Sequence, residues 1–158
     1  MDREEFSRRV NGMMDRLYRI SYSQLREPQD RMDAVQDALL KAWSNRHRLK
    51  NPEYFETWLI RILLNSCHDQ QRRSKRVAPL EEMPEVAEAS FDGNPEVRDA
   101  ILRLNEKQRT TIVLFYMEDY SVDEIARILK IPRETVRTRL RRGRDALRAL
   151  LEPDGKEG

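Results

Sequence analysis

The segment Ser121–Leu151, SVDEIARILKIPRETVRTRLRRGRDALRALL, predicts two helices joined by a tight turn. Ser121 and Glu124 have the spacing of a capping box, in which a hydroxyl and a carboxylate each satisfy a free backbone N–H at a helix start. Pro132 suits the first position of the second helix. Lys130 lies in the turn, where a non-glycine residue has to accept a positive φ. A short capped helix, a brief turn and a cationic helix are typical of a helix-turn-helix.

The second of these helices carries the charge expected of a DNA reader. Between Arg127 and Arg148 there are nine Lys or Arg residues and two acidic residues, a net charge of +7. Such a density of charge repels itself unless phosphates are nearby. The alternative, a solvated arginine-rich surface helix, does not explain the short first helix and its turn. In a helix-turn-helix, the N-terminal residues of the second helix contact base edges in the major groove.

Composition favours a soluble, all-α protein. Charged residues make up 37% of the 158 residues, and five are glycine. No apolar stretch approaches the roughly 20 residues of a membrane span, so we expect no membrane insertion. The single cysteine excludes an internal disulfide and suits a reducing cytoplasm.

Charge divides the chain into three blocks. Residues 1–76 carry 16 Lys or Arg and 11 Asp or Glu, residues 77–95 carry five acids and no base, and residues 96–158 carry 14 bases and 12 acids. We therefore predict two small helical domains, at 1–76 and 96–152, joined by an acidic flexible linker at 77–95 and followed by a tail at 153–158. Fully extended, the linker would reach roughly 60–65 Å, and as a coil it would average about 24 Å.

Apolar periodicity predicts three helices in the first domain. They cover residues 2–25, weakened by Gly12, then about 30–45, then 52–74 with Asn51 as its cap. The predicted core side chains include Tyr18, Met32 and Trp58. Leu40 and Trp43 lie beside acidic residues on the non-core side of the second helix, which indicates a protein contact, although Trp43 could equally fold into the core.

The third helix has a polar face next to a basic loop, Arg46–Asn51. This face can hydrogen-bond the bases and phosphates of a single strand, although an ordinary solvated face remains an alternative. One helix-turn-helix monomer reads only a few base pairs, and most such proteins dimerise to gain a second half-site. A second basic domain on a tether favours instead a bipartite DNA reader within one chain.

The chain resembles the bacterial sigma-70 factors of the extracytoplasmic-function group. The resemblance rests on DAVQDALLKAW (Asp33–Trp43), YFETWLIRILLNSCHDQQRR (Tyr54–Arg73) and the segment Leu104–Leu147, in the family's order and spacing. It implies a region 2 domain, a region 4 domain and promoter-specific transcription initiation. Asn105 and Lys130 depart from the Pro and Gly common in the family, and Gly143 from the common Ala.

The resemblance also implies roles for individual residues. The −35 readers would be Arg133, Glu134, Thr135, Arg137, Thr138, Arg141 and Arg142, on duplex DNA. The −10 readers would be Arg48, Lys50, Asn51, Arg61, Asn65, His68 and Arg72, on the opened single strand. Contacts to the β′ clamp helices of core RNA polymerase would come from Asp33, Gln36, Asp37, Leu40 and Trp43. The polymerase β flap is a further expected partner, and an anti-sigma factor is plausible although no residue requires it.

Two other classes of protein fit the sequence less well. An ordinary transcription regulator would need a ligand pocket or a β/α receiver pattern before residue 95. An enzyme built on Cys67-His68 would need the two side chains within hydrogen-bond reach, yet adjacent helical residues point about 100° apart. A zinc site from His47, Cys67 and His68 matches no common motif. We therefore expect no catalytic residues, no metal and no cofactor.

Overall fold

The computed structural model describes residues 1–76 and 94–152, and every regular element in those ranges is helical. Residues 1–76 belong to one compact unit and residues 94–152 to another. The predicted all-α class is confirmed. The predicted linker at 77–95 lies outside the described residues except for its last two, and the predicted tail at 153–158 lies outside them entirely.

The first unit consists of four helices and two short 3₁₀ turns. The helices are α1 (Arg3–Asn11), α2 (Met14–Gln24), α3 (Pro28–Ser44) and α4 (Phe55–Arg76), and the turns are Arg46–Arg48 and Pro52–Tyr54. The main packing partner of α3 is α4. The helix has a stripe of fully buried alanines at four-residue steps: Ala34, Ala38 and Ala42. Such small side chains let the two helices approach closely.

The predicted single helix over residues 2–25 is wrong, because the chain breaks at Gly12. The Met13 N–H donates to Val10 O, three residues back, at 2.9 Å instead of continuing the α-helical pattern. Met13 itself has φ −109° and ψ −3°, outside regular helix geometry. Two shorter helices, α1 and α2, result. Glycine destabilises the interior of a helix, and here the helix ends at that position.

Three of the residues predicted for the core are not fully buried. Tyr18 and Met32 are each 48% exposed, and Trp58 is only half-buried. In α3 the reason is the alanine stripe, which carries the burial in place of the larger side chain. Alanine is too common on helix surfaces to mark a core face by itself, so the apolar pattern favours the larger Met32 as a core residue.

The second unit contains α5 (Pro95–Arg103), α6 (Glu106–Ile112), a π-helical turn (Val113–Met117), α7 (Val122–Leu129) and α8 (Arg133–Leu151). The predicted caps are confirmed: the Asn94 side chain accepts from the N–H groups of Glu96 and Val97, and Asn105 accepts from Gln108. The buried apolar side chains of the unit include Ile112, Leu114, Ile125, Ile128, Val136 and Leu140.

Gly143 lies where α8 meets α6. A Cβ built on Gly143 would lie 2.8 Å from Ile112 Cγ1 and 3.1 Å from Ile112 Cδ1. Gly143 is buried, and Ile112 is 2% exposed. The absence of a side chain at Gly143 therefore lets α8 approach α6 closely.

Candidate nucleic-acid interface

The turn between α7 and α8 has the geometry that a helix-turn-helix requires. Ser121 Oγ accepts from Glu124 N at 3.1 Å, and Glu124 Oε1 accepts from Ser121 N at 2.9 Å, so both halves of the capping box form. Lys130 adopts φ 56° and ψ 49°, the left-handed conformation predicted for it. Pro132 is the N-cap of α8, one residue before its predicted position, and its carbonyl accepts from Thr135 N and Val136 N.

All seven candidate −35 residues lie on α8, away from its buried stripe of Val136, Leu140 and Gly143. Four of the arginines are exposed, and the two threonines are half-buried. Because N-terminal residues of a recognition helix contact bases, the first two turns of α8 are the part best placed to enter a groove. The exposed residues are Arg133, Glu134, Arg137, Arg141 and Arg142, and the half-buried ones are Thr135 and Thr138.

Two of these arginines are already paired with carboxylates. Arg133 Nη1 lies 3.1 Å from Asp123 Oδ1 of α7, and Arg137 is bonded to Glu134 one turn earlier. The four side chains are mostly exposed, between 54% and 83%. Exposed pairs of this kind contribute little stability, so a phosphate can replace the carboxylate at low cost.

The candidate −10 residues fall on one face of α4 and on the basic loop before it. Arg61, Asn65, His68 and Arg72 repeat at three- and four-residue steps, with Asn65 and Arg72 exposed and the other two half-buried. Arg72 Nη1 is 3.0 Å from Asp69 Oδ1. This polar face extends over about three helical turns, which suits a track for a single strand.

The basic loop places its three candidate −10 residues in solvent. Arg48, Lys50 and Asn51 are all exposed. Asn51 Oδ1 accepts from Glu53 N at 3.0 Å and therefore caps the short turn Pro52–Tyr54, not α4 directly as predicted. The side-chain amide N–H groups of Asn51 can donate to either a base edge or a phosphate.

The candidate protein-contact residues of α3 share a face, but they are not equally accessible. Leu40 is 68% exposed, the highest value among the large apolar residues of the described chain, and Gln36 is also exposed. Trp43 is half-buried, with its ring 5.2 Å from that of Phe6 in an edge-on contact. Both interpretations of Trp43 therefore hold in part, because one edge packs inward while the rest reaches the surface.

Asp37 is fixed between α3 and α4. Its Oδ2 accepts from Ser66 Oγ at 3.0 Å and lies 2.8 Å from Lys41 Nζ. Burial alone would raise the pKa of the Asp37 carboxyl, but hydrogen bonds from Lys41 and Ser66 and the charges of Lys41 and Arg73 outweigh it and lower the pKa below its ordinary value. Asp37 is thus an ionised carboxylate that also links the two main helices of the unit.

Sequence reasoning missed Met32 as a member of this surface. Met32, Gln36 and Leu40 follow one another at four-residue steps and are all exposed, so two apolar side chains flank one amide. A helical wheel centred on Ala34, Ala38 and Ala42 would have placed Met32 beside Leu40. We call Met32, Asp33, Gln36, Leu40 and Trp43 the α3 face.

The residues of the rejected enzyme and zinc sites are not gathered into one site. Cys67 is fully buried, His68 is half-buried and His47 lies in the exposed loop before α4. In residues 1–76 and 94–152, no group of three or more His, Cys, Asp or Glu side chains could hold a metal ion.

Two family models match this chain, one for each unit. The model for Sigma-70 region 2 matches residues 10–77, and the model for Sigma-70, region 4 matches residues 95–147. The ECF RNA polymerase sigma factor SigW of Bacillus subtilis is 34% identical, over 95% of this chain and 90% of that protein. The chain belongs to the sigma-70 family, in its extracytoplasmic-function (ECF) group. It is a promoter-recognising factor for the initiation of transcription.

Other relatives agree with this assignment. ECF sigma factor SigM of Mycobacterium tuberculosis is 34% identical over 95% of this chain and 79% of that protein. Two solved structures have the same fold. RpoE of Bartonella quintana, bound to the anti-sigma factor NepR, has a TM-score of 0.80 and 25% identity over 96% of this chain and 99% of that one. CnrH, bound to the cytosolic domain of CnrY, has a TM-score of 0.76 and 26% identity over 97% and 91%.

This family consists of transcription factors that are not enzymes. Within the part of the sigma factor that the structure describes, no helix combines the length and the apolar composition needed to cross a membrane.

Proposed function

We propose that the two units of this ECF sigma factor share promoter recognition between them. The observation that carries the proposal is the combination of two separate basic surfaces, on α4 with its loop and on α8, with an exposed apolar face on α3. The functional domains on this proposal are residues 1–76 and 96–152, tethered by residues 77–95. A DNA reader with one basic surface would need neither the second surface nor the α3 face.

The α8 helix is proposed to read the −35 element as duplex DNA. Its first two turns are exposed and basic, and the arginine side chains can form bidentate contacts with guanine, the commonest specific contact in the major groove. Asp123 and Glu134 hold Arg133 and Arg137 at the surface before DNA binds. Arg141 and Arg142, further along α8, are placed for phosphates.

The polar face of α4 and the basic loop are proposed to hold the −10 element as an open single strand. Opening a duplex costs a few kcal/mol per base, and capture of unstacked bases by hydrogen bonding and stacking offsets that cost. Exposed Asn65 and Asn51 supply amides for base edges, while Arg48, Lys50 and Arg72 supply charge for the backbone.

The α3 face is proposed to dock on the β′ clamp helices of core RNA polymerase, and the second unit is proposed to contact the β flap. Leu40 and Met32 supply exposed apolar area, and Asp33 and Asp37 supply negative charge along one side of it. A centre of apolar side chains bordered by polar groups is the usual composition of a protein interface.

An anti-sigma factor is a further proposed partner, because the solved neighbour RpoE is described in a complex with the anti-sigma factor NepR. We also propose that the chain acts in the cytoplasm, that it catalyses no reaction and that it needs no cofactor. Its proposed activity consists only of binding and of shifting the equilibrium between closed and open promoter.

Substitution of Leu40 by Asp tests the polymerase part of this proposal. Leu40 is 68% exposed, so the change should alter stability by no more than about 0.5 kcal/mol. It should nevertheless weaken binding to core polymerase at least tenfold, because central interface residues cost about 2 kcal/mol or more when lost. Binding is measured by fluorescence anisotropy of the labelled sigma factor titrated with core enzyme.

Tyr18 provides the matched control for Leu40. It is 48% exposed on α2, away from the α3 face, and Tyr18→Asp should leave the affinity for core enzyme unchanged. Equal losses for the Leu40 and Tyr18 variants would show general surface damage, and an unchanged affinity for Leu40→Asp would refute docking through the α3 face.

A further inference from the structure

Arg46 differs from the other basic residues of the loop in its burial and its contacts. The loop carries Arg46, His47, Arg48 and Lys50, and the last three are exposed. Arg46 is half-buried, and its guanidinium carbon lies only 3.6 Å from the centroid of the Trp43 ring. Its Nη1 also donates to Trp43 O at 2.8 Å. The Arg46 side chain is therefore engaged with α3, whereas its neighbours extend into solvent.

These contacts fix the direction in which the loop leaves α3. Backbone and side-chain hydrogen bonds together close the C-terminus of α3. The Asn45 backbone N–H donates to Lys41 O and to Trp43 O, and the Asn45 side chain and Arg46 donate to the same two carbonyls, each at 2.8 Å. The next turn follows directly, because Arg48 N donates to Asn45 O at 2.9 Å.

The far end of the loop is fixed by a second arginine in the same manner. Arg9 Nη1 of α1 donates to Pro52 O at 2.8 Å, and its guanidinium lies 5.6 Å from the Phe55 ring centroid. The two anchors meet in one aromatic cluster, since the Phe6 ring lies 5.2 Å from that of Trp43 and 5.9 Å from that of Phe55. Both ends of the loop are thus held by arginines on a shared core.

We propose that Arg46 is a positioning residue for −10 recognition: it contacts no DNA itself and holds the loop so that Asn51 meets the unstacked bases in register, with Arg48 and Lys50 along the backbone of the strand. This proposal rests on the proposed role of the loop in reading the −10 element. A preorganised loop loses less conformational freedom on binding, so loss of the anchor should blur base discrimination more than it weakens general attraction to DNA.

The test compares variants of the sigma factor assembled with core RNA polymerase. The probes are two single-stranded non-template oligonucleotides, one with the −10 sequence of a promoter that the factor uses and one with a single base of that element changed. A mismatch should cost wild type about 1–3 kcal/mol, roughly 5- to 150-fold in affinity. Arg46→Ala should reduce this ratio to below about threefold. The ratio is measured with core enzyme in saturating excess, because Arg46 also covers Trp43 of the α3 face.

Salt dependence separates positioning from direct phosphate contact. Each phosphate contact to a single strand contributes about 0.7 to the slope of log affinity against log salt. Arg46→Ala should leave that slope unchanged, whereas the matched control Arg48→Ala should lower it and should weaken both oligonucleotides alike. Arg46→Lys keeps the charge but loses the planar stack on Trp43, so it should lose discrimination as the alanine variant does. Because lysine retains most of the side chain, it is less prone than alanine to disturb folding, and it serves as the second variant.

Three outcomes would overturn the proposal. Arg46→Ala could lower the salt slope and weaken both oligonucleotides equally, which would make Arg46 a phosphate contact. Arg46→Lys could restore full discrimination, which would make charge alone sufficient. Discrimination could also stay at the wild-type ratio in both variants. If wild-type holoenzyme itself fails to prefer the −10 sequence, the proposed function of the loop fails first, and this inference fails with it.

Discussion

At the scale of single residues, Asp37 of α3 is a charged group that links two helices and is also proposed to contact core polymerase. Asp37 is 45% exposed at its side chain, yet it receives hydrogen bonds from Ser66 on α4 and Lys41 on its own helix. A side chain in this position can present one oxygen to a partner while the other links two helices. Mutation of Asp37 would therefore affect both the fold and binding, which is why Leu40 is the cleaner probe of docking.

Replacement of Asp37 by Asn should cost stability only when the carboxylate is charged. The pKa of Asp37 in the folded protein is below its ordinary value, so its contribution is fully present above the unfolded pKa, about 4, and is lost as pH falls through the folded pKa. Because the group is partly exposed, the cost at pH 7 should be below about 1 kcal/mol. Thermal denaturation of both proteins at pH 7 and near pH 2.5 measures it, and an equal or larger gap at the acid pH would contradict the assignment.

Lys130 allows a second prediction at this scale. A non-glycine residue in the left-handed region costs roughly 1 kcal/mol, and Lys130 has φ 56°. Lys130→Gly should therefore stabilise the second unit by up to about 1 kcal/mol, reduced by the greater freedom of glycine in the unfolded chain. Urea denaturation measures the change. Gly substitution of nearby exposed Arg127, inside α7, is the control and should destabilise, and a destabilised Lys130→Gly would refute the strain.

At the scale of elements, Gly143 determines how closely α8 lies on α6. Alanine is the better helix former by about 1 kcal/mol, yet its Cβ would lie 2.8 Å from Ile112 Cγ1. Overpacking a tight core usually costs about 1–3 kcal/mol, so Gly143→Ala should be net destabilising. Denaturant unfolding of the variant measures this cost.

A double-mutant cycle identifies the cause of that cost. Ile112→Ala removes both Cγ1 and Cδ1, the two Ile112 atoms that the new methyl would meet, so Gly143→Ala should cost less in that background than in the wild type. Strictly additive effects would show that the clash with Ile112 is not what opposes alanine.

The elements also show what could be predicted from the sequence and what could not. The capping box, the left-handed Lys130 and the Asn94 and Asn105 caps were predictable because each depends on residues only a few positions apart. The break at Gly12 and the exposure of Met32 were not, since both depend on which face of a helix its neighbours cover. The same limit applies to the site: shared faces on α4 and α8 follow from periodicity, whereas Asp123–Arg133 and Arg46–Trp43 depend on tertiary structure.

At the scale of the whole molecule, the proposed function assigns two separate DNA-reading surfaces to one chain. Each unit has its own core and its own basic surface, and only the first unit has the α3 face. Separate readers joined by a tether should impose a fixed range of spacing between two promoter boxes, because the helical repeat of about 34–36 Å sets their relative orientation. An ordinary regulator with one DNA-binding unit would recognise one kind of box, single or repeated as half-sites of a dimer, and would bind it without polymerase.

The most direct test is run-off transcription with purified core RNA polymerase, with and without this sigma factor, on sheared genomic DNA of its source. We expect defined starts only when the factor is present, preceded by two boxes at constant spacing, and we expect Leu40→Asp to abolish them while Tyr18→Asp retains them. Starts that do not depend on the factor would contradict the account. So would a factor that binds duplex DNA but neither binds core enzyme nor directs a start.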